Sequence, residues 1–162
     1  MSTQAQPLCG PDPVFEMVVW GIPGPQGSKT PKGYRISRNG KRVPVLVESS
    51  AKVKPWREAV AAAARVRLRS LPRWTLLTEA LAVGMHFTMP APQRMPQGRV
   101  YPSVYPDLSK LVRSTEDALT GVVWKDDGLI VAYRGLSKTY PHLGPYALPR
   151  PGALLTVWTV QP

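Results

Sequence analysis

The acidic residues of this chain are concentrated in one stretch, from Tyr105 to Val131. It contains five of the ten acidic residues, at positions Asp107, Glu116, Asp117, Asp126 and Asp127. Clustered carboxylates repel one another unless a positive charge lies between them, and a divalent metal ion commonly provides that charge. Because the stretch holds only three of the 21 basic residues, 18 basic and five acidic residues remain outside it. A basic surface around an acidic site indicates a polyanionic partner.

A helix must position the first part of this stretch. Pro106 and Asp107 are typical of a helix start, because aspartate can cap the helix and its charge suits the positive end of the dipole. At about 100° per residue one stripe is apolar, and it contains Leu108, Leu111, Val112, Thr115, Ala118 and Leu119. The opposite face contains Ser109, Lys110, Arg113, Glu116 and Asp117. On this face Arg113 and Asp117 are four residues apart and are expected to pair.

The second part of the stretch is predicted to turn back along the helix. Gly121 is a typical helix stop. The pattern then predicts a short strand over Val122–Trp124, a bend at Lys125, Asp126 and Asp127, and a second strand from Leu129. This path would bring Asp126 and Asp127 near Asp107. An ordinary amphipathic helix with solvated acids is the alternative, but adjacent like charges before an apolar strand favour a use for them.

The segment PDLSKLVRSTEDALTGVVWKDD, residues 106–127, resembles the signature of the RusA-type Holliday junction resolvases of phages and prophages. The order and nearly all the spacing match within this segment. The rest of the chain fits more loosely, through an early strand, a basic loop rich in glycine and proline, and a helix that contains tryptophan. The resemblance implies a Mg²⁺-dependent endodeoxyribonuclease, with Mn²⁺ able to substitute. It also implies a homodimer that nicks four-way DNA junctions symmetrically in recombination and repair.

The resemblance assigns roles to individual residues. Asp107 matches the first metal-binding aspartate and Asp127 the last, with Asp126 beside it as a further ligand. Asp117 matches the aspartate of the Asp-Ala-Leu pattern, and Arg113 stands where the family usually has a catalytic lysine. The implied metal ligands are Asp107, Asp126 and Asp127, and the implied catalytic set adds Arg113 and Asp117.

Ser109 departs from the family pattern, because a second metal-binding aspartate usually stands there. A neutral hydroxyl is a weak ligand for a hard cation. Three interpretations of Ser109 remain open. Asp126 or Asp117 compensates for the missing carboxylate, the metal binds more weakly, or the chain is impaired or altered. Two functional alternatives therefore remain: a non-catalytic protein that binds branched DNA, and a nuclease acting on flaps or forks.

Basic residues outside the acidic stretch are candidates for DNA contacts. Asn39-Gly40 between alternating segments predicts a hairpin over Tyr34–Val47, and a positive hairpin can reach along a duplex. The Gly21–Thr30 loop and the proline-rich Met89–Pro106 segment are expected to carry further contacts, although a merely soluble hairpin and a passive linker are the alternatives. The DNA-binding candidates are Lys29, Lys32, Arg35, Arg38, Lys41, Arg42, Arg94, Arg99 and Lys110.

Length and composition bound the class of protein. A chain of 162 residues with 43% apolar content is long enough for one domain with a real core. Its net charge of +11 indicates nucleic acid or an anionic membrane surface as the partner. No apolar run approaches a membrane span and the N-terminus lacks a signal-peptide profile, so a cytoplasmic protein of a bacterial or phage-infected cell is expected. The single cysteine, Cys9, cannot form an internal disulfide and is expected at the surface.

The predicted fold class is α+β. A small mixed sheet is expected from strands at Val14–Trp20, Leu81–Phe87, Leu129–Ser137 and Ala153–Val160. It packs against two helices, Ser50–Arg69 and Leu108–Leu119. A flexible tail over residues 1–13 is expected to precede a single nuclease domain over residues 14–162, and a homodimer would cover the apolar surface that so small a sheet leaves open.

Overall fold

The computed structural model describes residues 9–27, 29–48 and 50–160, with the side chains of residues 29–31 and 46–48 outside the description. Within these ranges a mixed four-stranded sheet packs against two helices, and a two-stranded hairpin forms a separate sheet. The predicted α+β class is therefore confirmed. No helix in the described part of the chain has the length and apolar character needed to cross a membrane.

The elements follow one another in an order close to the predicted one. They are β1 (Phe15–Trp20), β2 (Lys29–Ile36), β3 (Arg42–Glu48), α1 (Val53–Arg69), β4 (Leu81–Thr88), α2 (Leu108–Leu119), β5 (Ile130–Thr139) and β6 (Gly152–Thr159), with a 3₁₀ turn at Asp127–Leu129 before β5. The main sheet has the order β1-β6-β4-β5, in which only β4 and β5 run parallel. All four predicted strands of this sheet are present, and the predicted hairpin is β2–β3.

The core lies between the helices and one face of the main sheet. In β1 the buried residues alternate with exposed ones, so Phe15, Met17 and Val19 all point to the helices. The central strand β4 is buried on both faces over most of its length, which explains its nearly continuous apolar run. Trp56 of α1 is fully buried, and its indole N–H donates to Thr115 Oγ1 of α2 at 3.0 Å. This bond satisfies the one polar atom of a large core side chain.

The short strand predicted over Val122–Trp124 is wrong. These residues form a turn, in which the amides of Val122 and Val123 both donate to Leu119 O. Gly121 has φ +79°, a conformation that favours glycine and reverses the chain at the end of α2. Trp124 is buried and makes isolated bridges with Leu77 and Thr120 rather than joining a sheet.

Cys9 also differs from its prediction, because it is buried rather than exposed. It forms an isolated bridge with Val160 just beyond the end of β6. The next residue is held by Arg134, whose Nη1 donates to Gly10 O at 2.9 Å while its guanidinium lies over the Trp158 ring. Residues 9–11 therefore contact the sheet, and residues 1–8 lie outside the described residues.

His86 makes stability depend on pH. Its Nδ1 lies 2.8 Å from Ser137 Oγ, its ring stacks on Tyr146, and partial burial lowers its pKa. The fold therefore favours the neutral imidazole, so this contribution to stability is present above the unfolded pKa of about 6.5 and is lost as pH falls through the folded value.

We expect the Tm of the native protein to fall more between pH 7.5 and pH 5 than that of His86→Gln, in which this group no longer titrates. Thermal melts at both pH values measure the difference. An equal fall in the two proteins would show that His86 does not contribute to the acid sensitivity.

Candidate active site

One face of α2 combines polar side chains with a pocket. Ser109, Arg113 and Glu116 are spaced by four and three residues, so at the helical repeat they lie on one stripe. This stripe faces an open pocket of about 320 Å³ between α2 and β5. The residues that line it are Ser109, Val112, Arg113, Glu116, Asp127, Tyr133 and Leu136. Larger apolar pockets elsewhere lack this combination of a carboxylate pair, a guanidinium and a hydroxyl, so chemistry points to this one.

Glu116 is the main residue of the site whose surroundings differ from the prediction. It was predicted on the solvated polar face, but only 9% of it is exposed. Tyr133 Oη on β5 donates a hydrogen bond to its Oε1. Burial raises the pKa of Glu116 and outweighs the hydrogen bond from Tyr133, which lowers it. The charges of Asp127 and Asp117 raise this pKa further, and the charge of Arg113 lowers it. Burial and the same carboxylate also raise the pKa of Tyr133, so this tyrosine stays a hydrogen-bond donor.

The adjacent aspartates after α2 have different surroundings. Asp126 caps the 3₁₀ turn, because its Oδ1 accepts from the amide of Gly128 at 2.7 Å. Asp127 follows in that turn, is exposed, and lines the pocket with Glu116. The cap therefore fixes the turn that presents Asp127, while one of the two oxygens of Asp126 is already engaged.

Asp107 occupies the N-cap position of α2, but its side chain makes no capping hydrogen bond. Its Oδ2 lies 3.4 Å from Lys110 Nζ. Lys138 of β5 is also close enough for the Asp107 charge to raise its pKa against the larger lowering by burial. Lys138 Nζ donates to Val104 O at 2.6 Å and Pro106 O at 2.7 Å. Asp107 thus lies at the start of the helix beside two lysines, and it is not among the residues that line the pocket with Asp127.

Asp117 forms a pair different from the expected one. Its carboxylate accepts from the guanidinium of Arg57 on α1, which also donates to Gln26 Oε1. The predicted pair between Arg113 and Asp117 is wrong, because packing of α2 against α1 brings Arg57 to the flank of the helix that Asp117 occupies. Arg113 remains exposed on the stripe that faces the pocket.

A second pocket adjoins the first across α2. It is lined by Gln26, Gly27, Ser109, Lys110 and Arg113, so Ser109 and Arg113 border both pockets. The glycine- and proline-rich loop before β2 forms its other wall and is fixed to α2. The amide of Gln26 donates to Lys110 O at 2.9 Å, and Ser114 Oγ donates to Gly24 O at 2.5 Å.

The other basic candidates lie mainly at the surface. Those with exposed side chains on the β2–β3 hairpin are Lys32, Arg35, Arg38, Lys41 and Arg42. In the proline-rich segment Arg94 is exposed and Arg99 is partly buried. Lys29 begins β2, and its side chain lies outside the described residues. Lys110 lines the second pocket.

The donor set at the pocket fits a small hard cation. Among the described residues no three His, Cys, Asp or Glu side chains converge on one point, so the protein alone does not form a closed cage. Mg²⁺ does not require such a cage, because it keeps several waters and uses one or two carboxylates together with substrate phosphates. Two carboxylates, from Glu116 and Asp127, line the pocket together with the Ser109 hydroxyl.

A family model described as endodeoxyribonuclease RusA matches residues 25–143, which include both pockets and both helices. The class defined by this fold and site is thus an endodeoxyribonuclease, and the chain belongs to the RusA family. No curated protein matches the sequence.

Gly24 allows a test of how the loop before β2 is positioned. A Cβ at this position would lie 2.1 Å from Lys52 O and 2.6 Å from Lys52 C, and backbone atoms cannot rotate away. We expect Gly24→Ala to lower the free energy of unfolding by about 1–3 kcal/mol through overpacking. Chemical denaturation measures this change.

Gly10→Ala is the matched control, because nothing lies within 4 Å of its Cβ position. We expect it to change the free energy of unfolding by less than about 0.5 kcal/mol. Equal stability of the two variants would show that the loop moves freely away from α1 and α2.

Proposed function

We propose that this protein is a divalent-metal-dependent endodeoxyribonuclease that resolves four-way DNA junctions in recombination and repair. The observation that carries the proposal is the pocket of a RusA-family chain in which Asp127, Glu116, Ser109 and Arg113 come together. Mg²⁺ is the proposed cofactor, with Mn²⁺ able to substitute, and the protein acts in the cytoplasm of a bacterial or phage-infected cell.

The proposed metal ligands are Asp127 and Asp107, with Asp126 assisting. When bound, the metal supplies positive charge that activates a water molecule and stabilises the leaving oxygen. Asp126 has one oxygen engaged in capping the 3₁₀ turn, so its main part is to orient Asp127. Asp117 also has a positioning role, because its ion pair with Arg57 fixes α2 against α1.

Arg113 is the proposed contact for the scissile phosphate. It is exposed between the two pockets, with Ser109 one helical turn before it and Glu116 one turn after it. A guanidinium can make two parallel hydrogen bonds to a phosphate and neutralise charge that develops in the transition state. It does not readily release a proton, so its part is electrostatic rather than acid catalysis.

DNA binding is assigned to basic residues of the hairpin, of the proline-rich segment and of the second pocket. The hairpin contributes Lys29, Lys32, Arg35, Arg38, Lys41 and Arg42, the proline-rich segment contributes Arg94 and Arg99, and Lys110 lies in the second pocket. Basic side chains bind the phosphate backbone without reading sequence, which suits an enzyme that recognises branched shape. A homodimer would place two such sites on one junction and allow symmetric nicks.

Two other functions are distinguished by one cleavage experiment. A non-catalytic protein that binds branched DNA is favoured by Ser109, which replaces a charged ligand, whereas a flap or fork nuclease would use the same chemistry on another substrate. Labelled four-way, three-way and linear duplex DNA are incubated with the protein and Mg²⁺. The proposal requires paired nicks in the four-way substrate. Binding without cleavage, or preferred cleavage of three-way DNA, would support the respective alternative.

Asp127→Asn tests the assignment of the pocket. The substitution removes a charged ligand and also a charge that repels phosphate, so we expect cleavage to fall by at least about a thousandfold, a loss of about 4 kcal/mol in transition-state stabilisation. Junction binding is expected to stay equal or become tighter. Asp12→Asn is the matched control, since Asp12 is an exposed acid before β1. A fully active Asp127→Asn protein would refute the assignment.

DNA affinity is expected to fall steeply with salt. Binding by many surface lysines and arginines releases counterions, so the logarithm of the binding constant should fall by about 0.9 per neutralised phosphate for each unit of log salt concentration. Titrations of a four-way junction at several salt concentrations give the slope. The hairpin variant Arg35→Ala with Arg38→Ala should reduce that slope, and a nearly flat salt dependence would exclude electrostatic binding.

A further inference from the structure

The proposed metal site lacks one carboxylate, because serine stands at position 109. Ser109 borders the pocket but offers a neutral hydroxyl, which binds a hard cation far more weakly than a carboxylate. The same stripe of α2 carries a carboxylate seven residues later, at Glu116. Because seven residues make nearly two helical turns, Ser109 and Glu116 face the same pocket, one at each end.

Glu116 is placed as a ligand would be placed. One of its oxygens accepts a hydrogen bond from Tyr133 Oη, and the side chain as a whole is 9% exposed and borders the pocket. A hydrogen bond to one oxygen fixes the orientation of the other, which is how groups behind a metal site commonly orient its ligands.

A purely structural role explains Glu116 poorly. Within the described chain no Lys, Arg or His nitrogen lies within 4 Å of it, so no salt bridge offsets its burial, and the charge of Arg113 is the smallest of the effects on its pKa. Asp127 shares the pocket and adds repulsion. A neutral glutamine could accept the same hydrogen bond from Tyr133 without that repulsion. A charged glutamate at this position is therefore better explained by a bound cation that balances its charge.

We propose that Glu116 is a further carboxylate ligand of the metal site, in place of the carboxylate absent at position 109, and that Tyr133 positions it. This inference rests on the proposed function and identifies a residue for it outside the Asp107, Asp126 and Asp127 set. Asp127 and Glu116, which line the same pocket, would hold the cation when it is bound, and Tyr133 of β5 would orient Glu116 through its hydrogen bond.

The first test measures Mn²⁺ binding by calorimetry, together with the rise in Tm on adding Mn²⁺. Removing a charged ligand in Glu116→Gln should weaken Mn²⁺ binding about a hundredfold and nearly abolish the rise in Tm. The metal-free Tm should not fall, because glutamine still accepts from Tyr133 and no longer repels Asp127. Junction binding without metal should be retained.

Glu58→Gln is the matched control. It makes the same chemical change on an exposed part of α1, where Glu58 contacts Lys54. We expect it to keep native Mn²⁺ affinity. Tyr133→Phe removes only the hydrogen bond behind Glu116, so it should weaken Mn²⁺ binding about tenfold, the loss typical of groups behind a ligand.

A rescue experiment separates a ligand from a group that merely shapes the pocket. Adding Ser109→Asp to Glu116→Gln returns a carboxylate to the other end of the same stripe. If Glu116 replaces position 109, the double variant should regain at least about tenfold in Mn²⁺ affinity over Glu116→Gln. A structural defect at Glu116 would not be repaired from two turns away.

The outcomes separate this inference from the proposed function. If the native protein binds Mn²⁺ and cleaves junctions but Glu116→Gln binds Mn²⁺ equally well, Glu116 is not a ligand and only this inference fails. If Glu116→Gln loses affinity and the double variant does not recover it, the replacement of position 109 by Glu116 is refuted. If the native protein neither binds Mn²⁺ nor cleaves any branched DNA, the proposed function fails first.

Discussion

The packing of α2 against its neighbours is the constraint on which the candidate site depends. Three side-chain contacts fix this helix on the flank that faces α1 and the preceding loop: Thr115 accepts from the Trp56 indole, Ser114 donates to Gly24 O, and Asp117 pairs with Arg57. The first two are buried, where an unpaired polar group would be costly. These contacts determine the rotation of α2 about its axis, and thereby which of its residues line the pocket between α2 and β5.

With this rotation fixed, the two flanks of α2 have different electrostatics. Asp117 on the α1 flank has a guanidinium partner. Glu116, the next residue, faces β5 and has a tyrosine hydroxyl as its partner. Adjacent carboxylates are thus separated by about 100° around the helix, and of the two only Asp117 forms a salt bridge within the described residues. The carboxylates that can take part in chemistry therefore lie on the flank of α2 that faces β5, where Asp127 also lies.

The sequence was sufficient to predict the helices and strands, but not the electrostatic difference between the two flanks of α2. Apolar patterns predicted the four strands of the sheet and the bounds of α2, because each element has apolar side chains to bury; only β1 alternates strictly, and β4 is buried on both faces. The turn at Val122–Trp124 was missed, since a run of three apolar residues is equally consistent with a strand and with a buried turn. Cys9 was misplaced because the bridge that buries it joins residues at opposite ends of the chain.

Glu116 was missed for a related reason. Its residue type assigned it to the polar face, yet at the helical repeat it lies only about 40° from Val112, at the edge of the apolar stripe. That position was a usable signal, because a carboxylate at the edge of a buried stripe is desolvated whenever a strand packs beside it. What could not be read from the sequence is that β5 provides this strand and that Tyr133 extends from it toward Glu116.

The spacing along α2 gives the departure at Ser109 a physical interpretation. Asp107 begins the helix beside Lys110 and Lys138, two cations that already offset its charge. Glu116 lies nine residues further on, about 14 Å along the axis, where it forms no salt bridge and only the charge of Arg113 acts in its favour. In the proposed site Glu116 and Asp127 would therefore add negative charge toward the C-terminal end of the helix. Arg113 lies between the two ends, where its guanidinium could contact a phosphate. Exchanging serine and glutamate along one stripe thus moves the centre of charge without changing the fold that supports it.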